Sequence, residues 1–334
     1  MSTVRSFMRS YAAAQRRSQR IQNANTREAQ RQYQAQEKAN TLRTNHDVVK
    51  RYNEVVYNLT AMHREAVDII NWKEVLEEPE PAVPQRLYAA QQLAQDALHL
   101  YTPSLFDKLF AQQKKKVNRL NAALREAANK DEHAYHMAIQ TYTTEKTEWQ
   151  TMQLLAKGIL AQDTGSYRDA VNKLIPFASL PIGKNLNISF DPLHITIDLL
   201  LNTDEVVPDT IYSLTSTGKL SEKKMPASKR NDYYQDHVCS SMLRAAVETI
   251  AVLPVQFVIV NGLLEMLNTS TGKMEEQVIA SAAFVPETME KLNLQTIDPS
   301  DAFKNFIHHM RFSKINGFQA VDRIDAKTLL ITTH

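Results

Sequence analysis

From Val48 onward, apolar side chains recur alternately four and three residues apart, at Val48, Tyr52, Val55, Leu59, Met62, Ala66 and Ile69. On a helix this spacing gathers them into one seam that must find a partner, so the segment reads as a coiled-coil strand. The run EEPEPAVPQ, Glu77 to Gln85, ends the pattern. Its three prolines cannot continue a helix, and the residues before them are pushed to extended conformations. A shorter helical piece follows around Leu87 to Leu100, and then YTPS, where Thr102 and Ser104 are suited to cap a new helix.

That next helix is long. Its stripe begins at Val117, Leu120 and Leu124, shifts register near Ala127 and Ala128, and resumes at Tyr135, Ile139, Tyr142, Trp149, Met152, Leu155 and Ile159. Each of the two long helices is expected to reach on the order of 80 to 110 Å at the rise of an α-helix. Folding back on each other as an antiparallel hairpin would bury both stripes. Pairing with another copy is the other solution, and both remain open at this stage.

Beyond Gly165 the period changes. SYRDAVNKLIPFASL reads as a short amphipathic helix; NLNISFD and LHITIDLLL alternate with period two and join at Asp191-Pro192 as a hairpin-like pair. A strand at IYSLTST, a polar loop GKLSEKKMPASKRND and a helix from about Tyr233 to Val252 come next. VQFVIVNGLLEML and EEQVIASAAFV form a second hairpin with Gly272 in its turn. DPSDAFKNFIHHM is expected to close as a helix capped by Asp298 or Ser300, with His308 and His309 near its end. The predicted fold class is α+β: a long helical coiled-coil hairpin over residues 1–165, broken at 77–85, followed by a small antiparallel-sheet domain over 166–334.

Composition sharpens this picture in two ways. The first is charge: between Arg5 and Arg51 there are eleven basic against three acidic residues, so the remainder of this +2 chain carries a net −6. Such a basic arm attracts phosphates or an acidic protein surface. Within it Arg16, Arg17 and Arg20 are the candidate nucleic-acid contacts, since guanidinium groups along a helix reach successive phosphates without reading bases. A charged, solvent-facing flank of the coiled coil is the competing account, because only Tyr11 and Tyr33 offer base stacking there. The opening residues also have the Arg- and Ser-rich look of a transit peptide, but the pattern continues without a processing boundary. The second is cysteine: Cys239 stands alone, which makes a reducing, cytoplasmic setting the default. No apolar run escapes interruption by Glu248, Pro254 or Asn261-Gly262, so no membrane span is expected.

Two constellations carry candidate chemistry. In VVPDTIYSLTSTGKLSEKK, Val206 to Lys224, Pro208-Asp209 precedes Glu222-Lys223-Lys224 by thirteen residues, the Asp…Glu-x-Lys arrangement of many metal-dependent nucleases. That chemistry needs both carboxylates on one divalent ion and the lysine beside the attacked phosphate. The run around Glu222 lacks apolar alternation and is predicted to be a solvated loop, so a nuclease using Asp209, Glu222 and Lys224 stands as the alternative to a non-enzymatic reading. The second, His133 and His136 with Glu132, has no third ligand at suitable spacing and reads as a solvated helix face. No metal and no cofactor are expected.

Several words of the second half resemble a bacterial family of restriction-endonuclease-like proteins, in which a charged coiled coil and an α+β region precede an Mrr-type nuclease domain. They are DPLHITIDLLLNTDEVVP, the helix Tyr233 to Leu253, VQFVIVNGLLEMLNTSTGK, LNLQTIDPSDAFKNF and FQAVDRI, spanning about Ser166 to Ile324. The resemblance covers the part N-terminal to the family's nuclease domain, and the sequence ends at His334. It therefore implies no catalytic residue here. It implies a non-enzymatic scaffold or adaptor of a bacterial defence system, whose partners are another copy or a separate effector, with DNA as a further candidate and no membrane.

Overall fold

The computed structural model describes residues 45–65, 68–104, 112–175, 182–216 and 219–332. Its contacts divide the described chain into two compact units. One combines the residues up to Glu74 with those from Leu155 onward, and the other runs Val75–Leu154. No helix among the described residues is long and apolar enough to cross a membrane.

The first unit is α+β. Helix α1, Asn45–Thr60, ends before a 3-10 turn at Met62–Arg64, and α2, Trp72–Glu77, follows. The chain re-enters this unit through α5, Thr164–Leu174, whose first turn is capped by the Asp163 carboxylate accepting from the Ser166 N–H. Strands β1, Asn185–Phe190, and β2, His194–Leu200, form the expected antiparallel hairpin around Asp191-Pro192. A separate hairpin, β3 (Thr210–Leu214) with β4 (Leu220–Lys224), leads into α6, Ala227–Val252. The second expected hairpin is β5, Phe257–Asn268, with β6, Lys273–Phe284, and Gly272 takes φ +69° in its turn, a conformation that favours glycine.

Four expectations are corrected here. The main sheet is mixed, not antiparallel: its order is β1-β2-β5-β6 followed by β7, Ile307–Ser313, and β8, Gly317–Gln319, and β2 runs parallel to β5. The 26-residue α6 is the reason, because it carries the chain back along the sheet so that β5 enters in the direction of β2. The run at Glu222 is a strand and not a loop, paired residue by residue with β3. The terminal helix stops after one turn, Pro299–Ala302, although Asp298 caps it as expected. From Ile307 the burial alternates with period two, so His308 and His309 lie on β7, opposite Ala282 and Ser281.

The fourth correction concerns the seam. It is continuous only from Val48 through Tyr52 and Val55 to Leu59, all half-buried, because α1 ends at Thr60. Met62 falls in the 3-10 turn, Ile69 is 59% exposed outside any helix, and Ala66 lies outside the described residues. The apolar side of α1 is spent on its own unit, against α6 and the β3–β4 hairpin, with the Tyr52 and Tyr212 rings edge to face at 5.9 Å. A two-helix coiled-coil hairpin is therefore not what the described part of this seam builds.

Helix α6 is the core of the unit, with every residue from His237 to Val252 buried. One side packs on β5: a Cβ added at Gly262 would sit 3.0 Å from the Met242 Sδ, so glycine sets the close approach of helix and sheet. The other side is covered by residues 59–65 and 68–72. Arg244 donates to the carbonyls of Met62 (3.2 Å) and Glu65 and pairs with Glu248 at 2.5 Å. The N–H of Ile70 donates to the Ala251 carbonyl and the Trp72 indole to that of Val252. Burial holds the Glu248 carboxyl above its ordinary range, although the adjacent Arg244 charge pulls it back down.

The second unit, Val75–Leu154, is helical. Its α3 is the short helix Ala89–His99, and its α4, Gln113–Leu160, is a single helix of 48 residues, about 72 Å long. The Pro-rich stretch runs back along α4. Gln153 donates to the Val75 carbonyl, the Trp149 indole to Glu78, Lys146 pairs with Glu80 at 2.5 Å, and Arg86 pairs with Glu132. From Glu78 to Arg86 the eight steps of this extended strap cover about 25 Å, and the facing 17 helical steps from Trp149 to Glu132 about 26 Å, so the two stay in step. Asp131 closes the arrangement by accepting from the N–H groups of Ala90 and Gln91, capping α3 from another helix.

The Arg244–Glu248 pair generates a stability prediction. Arg244→Met leaves a carboxylate buried without its cation and is expected to cost about 3–5 kcal/mol in urea unfolding. The double substitution Arg244→Met with Glu248→Leu is expected to recover most of that loss.

Candidate functional site

Strand β4 places Glu222 and Lys224 two residues apart, hence on the same side of the β3–β4 ribbon, and both line an open depression with Asp209, Thr210, Lys223 and Arg230. The structure thus brings together the three residues singled out by the nuclease-like spacing. Their register does not suit a shared ion. Glu222 lies opposite Tyr212, whereas Asp209 sits across from Met225, whose N–H donates to the Asp209 carbonyl. Three residues along a strand separate the two carboxylate positions by about 10 Å. Asp209 is also engaged: its carboxylate pairs with Arg230 at 2.9 Å, and Arg230 reaches on to the Asp204 carboxylate at 3.2 Å. The arrangement ties the hairpin to the first turn of α6 and to the turn at Asp204.

Among the described residues no group of three or more metal-ligating side chains comes together. His136 pairs with Glu132 at 3.1 Å, and Arg86 holds the other oxygen of that carboxylate. Arg16, Arg17 and Arg20 lie outside the described residues. Cys239 is fully buried, and burial pushes its thiol well above the ordinary range, which makes it an inert core residue.

Spacing did not reveal a second polar cluster, formed across α6. The Ser240 Oγ accepts the His63 main-chain N–H at 3.1 Å and lies 2.9 Å from the His63 Nδ1; the Asp298 charge acts on the same ring. A serine, a histidine and an aspartate so disposed resemble a hydrolytic set, but Ser240 and His63 are sealed from solvent and Asp298 is occupied in capping Ser300 and Asp301. One turn away, His237 is buried and its Nδ1–H donates to the Leu59 carbonyl. Burial lowers both imidazoles to about 4, helped at His63 by the Arg64 charge. Nearby Asp236 is raised to about 6, first by burial and then by the Asp298 charge.

A third cluster crosses the sheet. Asp198, Asn261 and Ser281 stand side by side on β2, β5 and β6, linked at 2.8 and 2.7 Å, with Arg323 on Asp198 at 2.5 Å and the Ile324 N–H on Ser281 at 3.0 Å. This row fastens the C-terminal segment, where Ile324, Leu329 and Leu330 pack over Phe257, Ile259 and Ala283. In the helical unit, by contrast, an apolar ridge faces solvent: Leu93 (72% exposed) and Ala97 on α3 and Leu100 (80%) at its C-cap follow a four-then-three spacing. The chain matches no known family, no curated protein and no solved structure.

The two imidazoles make stability depend on pH with a definite sign. Unfolded, they take up protons below about 6.5, whereas folded they resist to about 4. Stability is therefore full above about pH 7 and falls as pH drops, by up to about 1.4 kcal/mol per pH unit per imidazole. Asp236 acts oppositely below about 6 and offsets part of the loss. His63→Asn with His237→Asn is expected to flatten the curve of unfolding free energy between pH 7 and 5. For the hairpin, Asp209→Ala is expected to cost about 1 kcal/mol, the scale of an exposed pair. Mg²⁺-dependent cutting of nucleic acid abolished by this substitution would overturn the strut assignment.

Proposed function

We propose that this protein is a non-enzymatic scaffold, whose helical unit holds an effector protein or a second copy of the chain. The observation that carries this reading is the ridge Leu93, Ala97 and Leu100. It is apolar, exposed and helically spaced, and it sits on a helix whose start is fixed by Asp131. Rigid presentation matters, because an anchored helix loses little further freedom on docking in a groove. The resemblance of the second half to the region preceding an Mrr-type nuclease domain supports a place in bacterial defence, with the effector supplying the bond-breaking step.

Because Leu93 and Leu100 touch little within the chain, Leu93→Asp with Leu100→Asp is expected to leave the melting temperature within about 2 °C of the parent. The same pair is expected to weaken association through the helical unit at least tenfold, read by sedimentation of the purified chain alone and with the product of a neighbouring gene. Association of undiminished strength in this variant would overturn the reading.

A further inference from the structure

The outer edge of β1 is open among the described residues, since the main sheet begins with this strand. Its hydrogen-bonding phase follows from its neighbours. The N–H of Asp191 donates to the His194 carbonyl, while Leu193 and Leu201 direct their main-chain groups to Gln256 and Leu263 on the far side of β2. Residues 185, 187 and 189 therefore bond to β2, and the N–H and carbonyl groups of Leu186, Ile188 and Phe190 point away from the sheet.

Edge strands are usually blunted by charge, proline or a bulge. This one, NLNISF, carries none of these, and its pairing with β2 is regular throughout. Its side chains divide cleanly: Asn185, Asn187 and Ser189 are exposed, while Leu186, Ile188 and Phe190 are half-buried on the side that α5 covers, with Arg168 over the Phe190 ring.

We propose that two copies of this chain join their sheets through β1, antiparallel about a two-fold axis at Ile188. The strand is self-complementary about that point. Ile188 meets its own counterpart, Leu186 meets Phe190, and Asn187 meets Ser189, so apolar faces apolar and polar faces polar. Every outward main-chain group finds a partner, giving six inter-strand hydrogen bonds for three paired positions. The Lys184 end of each strand lies beside the Asp191 end of the other. An isologous contact of this kind closes after two copies, which caps the edge and ends the assembly. It joins two continuous sheets of six strands each. This surface is distinct from the α3 ridge and does not rest on the scaffold reading.

The test is sedimentation with amide hydrogen exchange on the full chain. The parent is expected to sediment at twice the monomer mass at micromolar concentration, with the amides of Leu186, Ile188 and Phe190 slowed. Ile188→Pro removes one outward donor and leaves the β1–β2 ladder intact. It is expected to give a monomer in which those amides exchange quickly. Asn187→Lys with Ser189→Lys, both on the exposed side, sets like charges against each other across the axis and is expected to raise the dimer dissociation constant at least tenfold without lowering the melting temperature. A parent monomeric at 100 μM would overturn the proposal, whether the edge is bare or takes a strand from another protein. A dimer that survives the two-lysine variant would also overturn it. If that same dimer is lost in the Leu93→Asp, Leu100→Asp variant, the ridge reading stands while this one falls.

Discussion

The α+β unit depends on a helix that is buried on every side. Helix α6 needs the sheet against its apolar side and residues 59–65 and 68–72 against its polar side. The second requirement is the more demanding. A guanidinium, a carboxylate, two imidazoles and several hydroxyls have been taken out of water, and each must meet a specific partner. Main-chain carbonyls at Leu59, Met62 and Glu65 answer part of that need, so the N-terminal segment closes the core instead of standing off as an arm.

The same logic explains why catalytic-looking residues do not imply catalysis. Asp209, Glu222 and Lys224 share a depression, yet Arg230 already satisfies the aspartate, and the register sets the glutamate apart from it. Ser240 and His63 are close enough for proton transfer, yet they lie where a substrate cannot reach. In both places the polar groups hold elements together: hairpin to helix in one, N-terminal turn to helix in the other. Function is better sought where chemistry is left unspent, at exposed apolar positions and open main-chain edges.

What the sequence showed depended on how local the cause was. Two hairpins of the main sheet, β1–β2 and β5–β6, the Asp298 cap and the α6 core helix were legible, because turn residues and period-two alternation act within a few positions. The parallel β2–β5 pairing was not, since it is decided by where a 26-residue helix returns the chain. The strand at Glu222 escaped for a related reason. LSEKK has no alternating apolar face, and only its pairing with TIYSL makes it extended. His63 and the carbonyl contacts of Arg244 gave no signal by spacing, because the partners that explain them lie some 180 residues away. One clue was present: charged and hydroxyl residues set among the apolar positions of α6 require a second surface to satisfy them.

The Pro-rich break shows how one feature can be located correctly and still mislead. Prolines at 79, 81 and 84 do end a helix, which suggests a hinge between two rods. Here they also hold the strap extended, at a rise close to twice that of the helix beside it. Each strap residue thus advances past about two residues of α4, so a short strap with few contacts spans a long stretch of helix. A second long helix would have buried more apolar area along α4. The strap covers part of that surface, and the short α3 beyond it keeps Leu93 and Leu100 in water. The prolines thus end α2 and not the seam helix α1, which already stops at Thr60, and the apolar ridge of α3 lies beyond the stretch they hold extended.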